Sequence, residues 1–122
     1  MKTIMVVDDS RIMRNIVKNT FSELRIPCEF VEAANGKDAL SLLESRTISL
    51  VLLDWNMPQL SGLDFLKKVR SMESYKKLPI IMVTSEAAKY NVIEALKSGA
   101  TDYIIKPLHE KSFLDKLSRI SF

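Results

Sequence analysis

The sequence predicts an α/β fold, in which a five-stranded parallel sheet carries helices on both faces. Short apolar runs of the kind that form strands alternate with longer amphipathic stretches along the whole chain. One of these runs, Leu50–Leu53, is apolar at every position, as expected for a central parallel strand covered on both sides. Five β–α units in 122 residues need right-handed crossovers, which place the helices on the two faces of the sheet.

The first half of the chain contains three predicted strands and two predicted helices. The strands are expected, in order, at Thr3–Val7, Glu29–Ala33 and Leu50–Leu53. Ser10 is a typical N-cap for the first helix, and Pro27 prevents that helix from continuing. Asn35 and Gly36 open the second helix. The residues expected to face inward are Ile12, Met13, Ile16, Val17, Phe21 and Leu24 in the first helix, and Ala39, Leu40 and Leu43 in the second.

The second half repeats this alternation after a loop that contains Pro58 and Gly62. The fourth and fifth strands are expected at Ile80–Val83 and Tyr103–Ile105. Gly99 is a typical stop for a fourth helix that begins near Ala87. A fifth helix is expected from Glu110 to Ile120. The residues expected to face inward are Leu63, Leu66 and Val69 in the third helix, and Phe113, Leu114 and Leu117 in the fifth.

Composition indicates one globular domain that spans residues 1–122. The chain is 47% hydrophobic and 27% charged, and no apolar run approaches the roughly 20 residues of a membrane span. A cytoplasmic protein is expected, in which the lone Cys28 is a small buried residue. One His and one Cys are too few for a structural zinc site. The net charge is +3, but the basic residues are scattered, so nucleic-acid binding is not expected.

Chemically distinctive residues stand at the C-terminal ends of four predicted strands. Asp8 and Asp9 follow the first strand, Asp54 the third, Thr84 the fourth and Lys106 the fifth. Ligands of open parallel sheets bind at this edge, where the strand order reverses. The flavodoxin-like, doubly wound order 2-1-3-4-5 makes the first and third strands neighbours and so brings the three aspartates together. The chemistry therefore favours that order.

Three converging carboxylates need positive charge. At about 4 Å and an effective dielectric constant near 20, each pair repels by roughly 4 kcal/mol. Lys106 supplies one positive charge, and Mg²⁺ (or Mn²⁺ in its place) prefers such oxygen ligands. A carboxylate beside a divalent cation, a hydroxyl and a lysine can accept a phosphoryl group. Asp54 is the better candidate nucleophile because it stands alone on the central strand.

Together these positions resemble a known family. Asp8-Asp9, Asp54, Thr84 and Lys106-Pro107 match, in order, the receiver domain of two-component response regulators, and the resemblance covers the whole chain. The run from Asp54 to Pro58, the run from Met82 to Glu86 and the aromatic Tyr103 are most similar to the stand-alone chemotaxis regulators. Leu108 is a departure, because the chemotaxis pattern often has Phe there.

The resemblance implies roles for the site residues. Asp54 is phosphorylated by the phosphohistidine of a histidine kinase (CheA-like). Asp9, Asp54 and the backbone carbonyl of Asn56 are the implied Mg²⁺ ligands, with Asp8 reaching the ion through water. Thr84 and Lys106 then bind phosphoryl oxygens, and the Lys106–Pro107 peptide is expected to be cis.

The resemblance also implies a switch and a partner face. Tyr103 turns inward as Thr84 moves, which changes the face formed by the fourth helix, fifth strand and fifth helix. That face binds a target, expected to be the flagellar motor switch in chemotaxis. Residues implied on it are Lys89, Tyr90, Tyr103 and Lys116. Asn56 and Glu86 are expected to tune dephosphorylation and the access of an aspartyl-phosphate phosphatase. The implied protein is a monomeric signalling receiver that takes part in its own phosphorylation and autodephosphorylation, not an enzyme acting on other substrates.

Two other functions share parts of this pattern. A phosphorelay shuttle, which passes its phosphoryl group to a histidine phosphotransfer protein, has the same site and differs only in its partners. A Mg²⁺-dependent small-molecule phosphatase of the haloacid dehalogenase type needs a second Asp two residues after its nucleophile, and this chain has Asn56 there. The chain ends with its last predicted helix, so no output domain is expected, although a piece of a longer regulator has the same appearance.

Overall fold

The computed structural model describes residues 1–85 and 89–122, without the side chains of residues 89 and 90. The elements alternate as predicted. The strands are β1 (Lys2–Val7), β2 (Cys28–Ala33), β3 (Leu50–Leu53), β4 (Ile80–Thr84) and β5 (Asp102–Ile105). The helices are α1 (Arg11–Glu23), α2 (Gly36–Ser45), α3 (Gly62–Arg70), α4 (Lys89–Lys97) and α5 (Glu110–Ser118), and a 3-10 turn covers Glu73–Tyr75.

All strand pairs are parallel, and the order is β2-β1-β3-β4-β5. Because side chains alternate across a strand, each strand feeds two separate cores. On one face, Met5, Val51 and neighbouring residues pack with buried residues of α2, α3 and α4. On the other face, Ile4 and Leu52 pack with buried residues of α1 and α5. The predicted doubly wound fold, its strand order and its two helical layers are therefore confirmed.

Side chains cap the N-termini of α1 and α2, which follow β1 and β2. Ser10 accepts a hydrogen bond from the backbone N–H of Met13 at 3.2 Å, and Asn35 accepts one from Asp38 at 2.8 Å. These contacts satisfy N–H groups that have no partner inside the first turn of a helix. The two predicted helix starts are thus correct. Within the described residues, none of the helices has both the length and the apolar character that a membrane crossing requires.

Three residues predicted to face inward are exposed instead. Ile12 is 74% exposed, Ile16 42% and Leu114 47%. In α1 the sheet covers only the narrow stripe that contains Val17 and Phe21, and Ile12 and Ile16 lie one residue to the side of it. The prediction failed because helical periodicity gives the direction of an apolar stripe but not how far a neighbouring element extends over it.

Element ends differ from the prediction by a few residues. α5 ends at Ser118, and Ile120 packs against the core from the segment that follows it. The predicted start of the fourth helix, Ala87, lies outside the described residues.

Cys28 is half-buried, and burial raises the pKa of its thiol. The 3-10 turn was not predicted, because three residues are too few for a periodic signal.

Candidate active site

Strand register brings the first two acidic positions side by side. Val7 and Leu53, the last residues of β1 and β3, are register partners, so the residues that follow them are neighbours. The N–H of Asp54 donates to the Val7 carbonyl at 2.9 Å, and the N–H of Asp8 donates to the Ala33 carbonyl at 3.0 Å. Both aspartate backbones are therefore fixed as continuations of the sheet, and their side chains lie at its carboxyl edge.

Three carboxylates form a cluster at this edge. One oxygen from each of Asp8, Asp9 and Asp54 lies within 4.8 Å of the others. Asp8 is 5% exposed and Asp54 8% exposed, whereas Asp9 faces solvent. Asp8 is also held by the N–H of Ser10, which donates to Oδ1 at 2.9 Å. Asp8 and Asp54 are thus the buried members of the cluster, and Asp9 is its solvent-exposed member.

Lys106 connects two members of the cluster. Its Nζ donates to Asp8 Oδ2 at 3.0 Å and to Asp54 Oδ1 at 3.2 Å. Its backbone N–H donates to the Thr84 carbonyl at 2.9 Å, so the end of β5 is tied to the end of β4. The Lys106–Pro107 peptide is cis, as the sequence resemblance implied. The ends of β1, β3 and β5 thus meet through the side chains of Asp8, Asp54 and Lys106.

Thr84 and Tyr103 lie on the α4 side of the site. Thr84 is 3% exposed, and it lines a cavity of about 10 Å³ together with Trp55, Val92 and Tyr103. Tyr103 is half-buried, and its ring packs under Lys116, whose Nζ lies 4.9 Å from the ring centroid. A space of this size holds about one water molecule at most. The tyrosine ring cannot enter it unless a neighbouring residue moves.

The loop after Asp54 folds back closely on the backbone of the site. The N–H of Gly62 donates to the Trp55 carbonyl at 2.9 Å. A Cβ at position 62 would overlap the carbonyl oxygen of Asp54, so only glycine permits this approach. Sequence reasoning treated Gly62 only as a loop residue. Its position at the start of a helix is a weak signal, because glycine occurs near helix ends and in loops for many reasons.

The electrostatics of the site oppose ionisation of Asp54. Burial raises the pKa of the Asp54 carboxyl above its ordinary value of 3.8, and the charge of Asp8 raises it further, while Lys106 counteracts both only in part. For Lys106, burial lowers the pKa of the ammonium group, but the hydrogen bond to Asp8 and the charge of Asp54 outweigh that effect and raise it above 10.5. Without a cation, the site therefore favours a charged lysine and disfavours a charged Asp54.

This imbalance predicts how stability depends on pH. Folding raises the pKa of Asp54, so as pH falls the folded protein binds a proton at this carboxyl at a higher pH than the unfolded chain does. The free energy of unfolding should therefore rise as pH falls through the pKa of the folded state. The gain should be complete below pH 3.8. Urea unfolding in EDTA from pH 7.5 to about 3.5 measures it, with Asp54→Asn as the control that cancels other titrating groups. A difference between the two proteins that does not change with pH would contradict the assignment.

The remaining predicted site residues are placed as follows. Asn56 is exposed in the loop after Asp54. Lys116 pairs with Asp102 at 3.0 Å besides covering the Tyr103 ring, so it is half-buried and already has partners within the domain. Glu86 lies outside the described residues, as do the side chains of Lys89 and Tyr90.

The acidic cluster fits a small, hard cation. All of its donors are carboxylate oxygens, which Mg²⁺ prefers. Mg²⁺ binds such oxygens at about 2.0–2.1 Å, so two of its ligand atoms lie at most about 4.2 Å apart. The oxygens of Asp9 and Asp54 lie within 4.8 Å of each other, so they need to approach only slightly. Among the described residues no side chain donates to Asp9, which leaves that carboxylate available.

Known proteins are similar to this chain in both sequence and fold. A model of the response regulator receiver domain matches residues 4–118. Chemotaxis protein CheY1 of Helicobacter pylori is 46% identical over 115 residues, which cover 93% of this chain and 92% of that protein. The CheY homolog of Campylobacter jejuni is 42% identical over 118 residues, covering 96% and 90%. A structure of Vibrio cholerae CheY4 superposes with a TM-score of 0.88 at 32% identity, covering 99% of both chains. The chain therefore belongs to the response regulator receiver domain family.

Proposed function

We propose that residues 1–122 act in the cytoplasm as a stand-alone phospho-receiver, phosphorylated on Asp54 by a histidine kinase. The observation that carries this proposal is the site itself: three carboxylates within 4.8 Å, two of them joined by Lys106. Membership of the receiver family supports it independently.

Mg²⁺ is the cofactor that this donor set suits. Asp9, Asp54 and the backbone carbonyl of Asn56 would hold it, with Asp8 contributing through water. When bound, the ion neutralises the carboxylates and the charge on a transferring phosphoryl group. This role explains why a protein would keep three acidic groups whose mutual repulsion is otherwise unfavourable.

The chain's own residues then have distinct tasks in the transfer. A carboxylate oxygen of Asp54 attacks phosphorus, the bond between phosphorus and the kinase histidine breaks, and the histidine nitrogen regains its lone pair. Lys106 turns from the Asp54 carboxylate toward the new phosphoryl oxygens and keeps its positive charge, which the raised pKa of its ammonium group supports. The Thr84 hydroxyl donates a second hydrogen bond to those oxygens. Transfer of this kind depends mainly on positioning and charge neutralisation.

These new contacts supply enough free energy for a conformational switch. Moving an equilibrium from 1:99 to 99:1 needs about 5.5 kcal/mol of differential binding. Hydrogen bonds to charged groups contribute roughly 1.5–3 kcal/mol each, so two bonds near the top of this range, or three near its middle, reach that value. Movement of Thr84 toward the phosphoryl group would enlarge the cavity that it shares with Tyr103 and so permit the tyrosine ring to turn inward.

The output face is proposed to be the surface of α4, β5 and α5, with Lys89, Tyr90, Tyr103 and Lys116 as its contact residues. The flagellar motor switch is the proposed target, because the relatives from Helicobacter pylori and Campylobacter jejuni are named chemotaxis proteins. An inward turn of Tyr103 would remove the ring that Lys116 now covers, so the face would change in both shape and charge. Asn56 and Glu86 are proposed to tune the lifetime of the phosphoryl group.

Intact mass after incubation with acetyl phosphate and Mg²⁺ tests the chemistry. We expect one phosphoryl adduct on the wild-type protein, lost when EDTA replaces Mg²⁺. The matched control is Asp54→Asn, which retains the size of the side chain but is a far poorer nucleophile. An adduct of equal yield on Asp54→Asn would exclude Asp54 as the acceptor, and absence of an adduct on the wild type would contradict the proposed function.

The partner is tested separately with beryllofluoride, which mimics the aspartyl phosphate. Immobilised wild type, with Asp54→Asn as the negative control, is exposed to the purified motor switch protein and to a histidine phosphotransfer protein. Binding of the motor protein only after activation supports the chemotaxis assignment. Binding of the phosphotransfer protein alone would replace it with the phosphorelay function.

A further inference from the structure

Arg14 on α1 lies behind the acidic cluster and bonds directly to its backbone. Its Nη1 donates to the carbonyl oxygen of Asp8 at 2.6 Å. Its Nε donates to Glu32 Oε1 on β2 at 3.0 Å. The Arg14 side chain is 15% exposed. A half-buried guanidinium is therefore shared between a carboxylate of the neighbouring strand and a peptide of the site.

The carbonyl that Arg14 holds belongs to the peptide between Asp8 and Asp9. A peptide is planar, so fixing its oxygen also fixes the direction in which the chain enters Asp9. Asp8 is already restrained by its own N–H, by Ser10 and by Lys106. Asp9 has no such restraint on its side chain among the described residues. The Asp8–Asp9 peptide, which helps to set the backbone direction at Asp9, therefore limits where its carboxylate can lie.

Glu32 keeps the guanidinium in place. Its Oε1 accepts from Arg14, and its Oε2 accepts from Lys18 Nζ at 2.9 Å. Lys18 is one helical turn after Arg14 and reaches the same carboxylate, but within the described residues it makes neither a hydrogen bond nor an ion pair with Asp8. The chain thus offers a matched pair of basic residues on one helix face, of which only one touches the site.

We infer that Arg14 is a positioning residue for cation binding, which presets the Asp8–Asp9 peptide so that Asp9 can ligate Mg²⁺. This inference rests on the proposed metal site and extends it to a residue that does not touch the ion. Groups that orient metal ligands from behind typically affect metal affinity by 10- to 100-fold. Arg14 is suited to this role because its planar fork donates in two fixed directions at once.

Electrostatics and positioning predict opposite results at this residue. Arg14 is a positive charge close to a cation site, so removing that charge should strengthen Mg²⁺ binding if charge alone matters. If positioning dominates, the same change should weaken Mg²⁺ binding. The sign of the effect therefore separates the two roles, which the size of the effect alone would not do.

The test is Mg²⁺ titration followed by the emission of Trp55, the sole tryptophan, which adjoins Asp54. For Arg14→Ala we expect half-saturation at about tenfold higher Mg²⁺ or more. For Arg14→Lys, which keeps the charge but loses the fork, we expect a rise of at least about threefold. For Lys18→Ala we expect a change within about twofold, because it loses only a surface ion pair. Thermal unfolding in EDTA checks that each variant is folded.

Failure of this inference about Arg14 and failure of the proposed function would give different results. A wild type that shows no Mg²⁺-dependent emission change and no Mg²⁺-dependent stabilisation would overturn the metal site and this inference with it. A wild type that binds Mg²⁺, with Arg14→Ala equal to it or tighter, would overturn this inference alone. If Arg14→Ala does not fold, Arg14→Lys decides: half-saturation equal to that of the wild type would overturn the inference.

Discussion

Replacement of Gly62 by alanine is expected to lower the free energy of unfolding by about 3 kcal/mol. A Cβ at this position would overlap the Asp54 carbonyl oxygen, and its next neighbours are also backbone atoms. Backbone that is hydrogen-bonded on both sides cannot yield cheaply, since the N–H of Asp54 is tied to Val7 and that of Gly62 to Trp55. The helix must therefore move away from the sheet edge, and the proposed cation site should deform with it.

Urea unfolding and Mg²⁺ titration measure the two consequences of this substitution. Ser61→Ala is the matched control, because it removes the N-cap that accepts from Asp64 without intruding on Asp54. It should cost about 1 kcal/mol and leave Mg²⁺ affinity unchanged. If Gly62→Ala lowered stability no more than Ser61→Ala and retained the wild-type Mg²⁺ affinity, the close approach would have no role in shaping the site.

The fold could be predicted largely because hydrophobic periodicity and the expected chemistry of the site indicated the same arrangement of strands and helices. Periodicity located the strands and helices, but it left the order of the sheet open. The order followed from Asp8, Asp9 and Asp54, which can act together only if β1 and β3 are neighbours, and the register of Val7 with Leu53 agrees with it. The expected chemistry of the site thus selected the strand order that hydrophobic periodicity had left open. The exposure of Ile12 could not be predicted in this way, because it depends on how far the neighbouring elements extend over α1.

The supporting residues of the site could not be predicted, because their roles arise from contacts between distant segments. Arg14 resembles any basic residue on a helix until α1 packs beside β2 and aims the guanidinium at the Asp8 carbonyl. Gly62 acquires its importance only when α3 starts against Asp54. The residues proposed to perform the chemistry can be recognised from their residue types and their order in the sequence. The residues that orient them can be recognised only from interatomic distances in the folded structure.

Opposite changes in stability are expected when the two charges that meet at the cluster are removed. In the metal-free protein at pH 7.5, Asp54→Asn should raise the free energy of unfolding by about 1–2 kcal/mol, because it removes a buried charge that lies beside Asp8. Lys106→Met should lower it by about 2–3 kcal/mol, because it leaves two largely buried carboxylates without their shared cation. Urea unfolding in EDTA measures both.

The double variant shows whether these effects have one cause. If Lys106 stabilises the fold by neutralising Asp54, Lys106→Met should cost at least about 1 kcal/mol less in the Asp54→Asn background. Equal costs in both backgrounds would mean that Lys106 acts through Asp8 or through packing alone. Saturating Mg²⁺ should also recover part of the loss in Lys106→Met, since it supplies positive charge to the same carboxylates. The repulsion that destabilises the metal-free fold should therefore also increase the stabilisation that Mg²⁺ gives when it binds the proposed site.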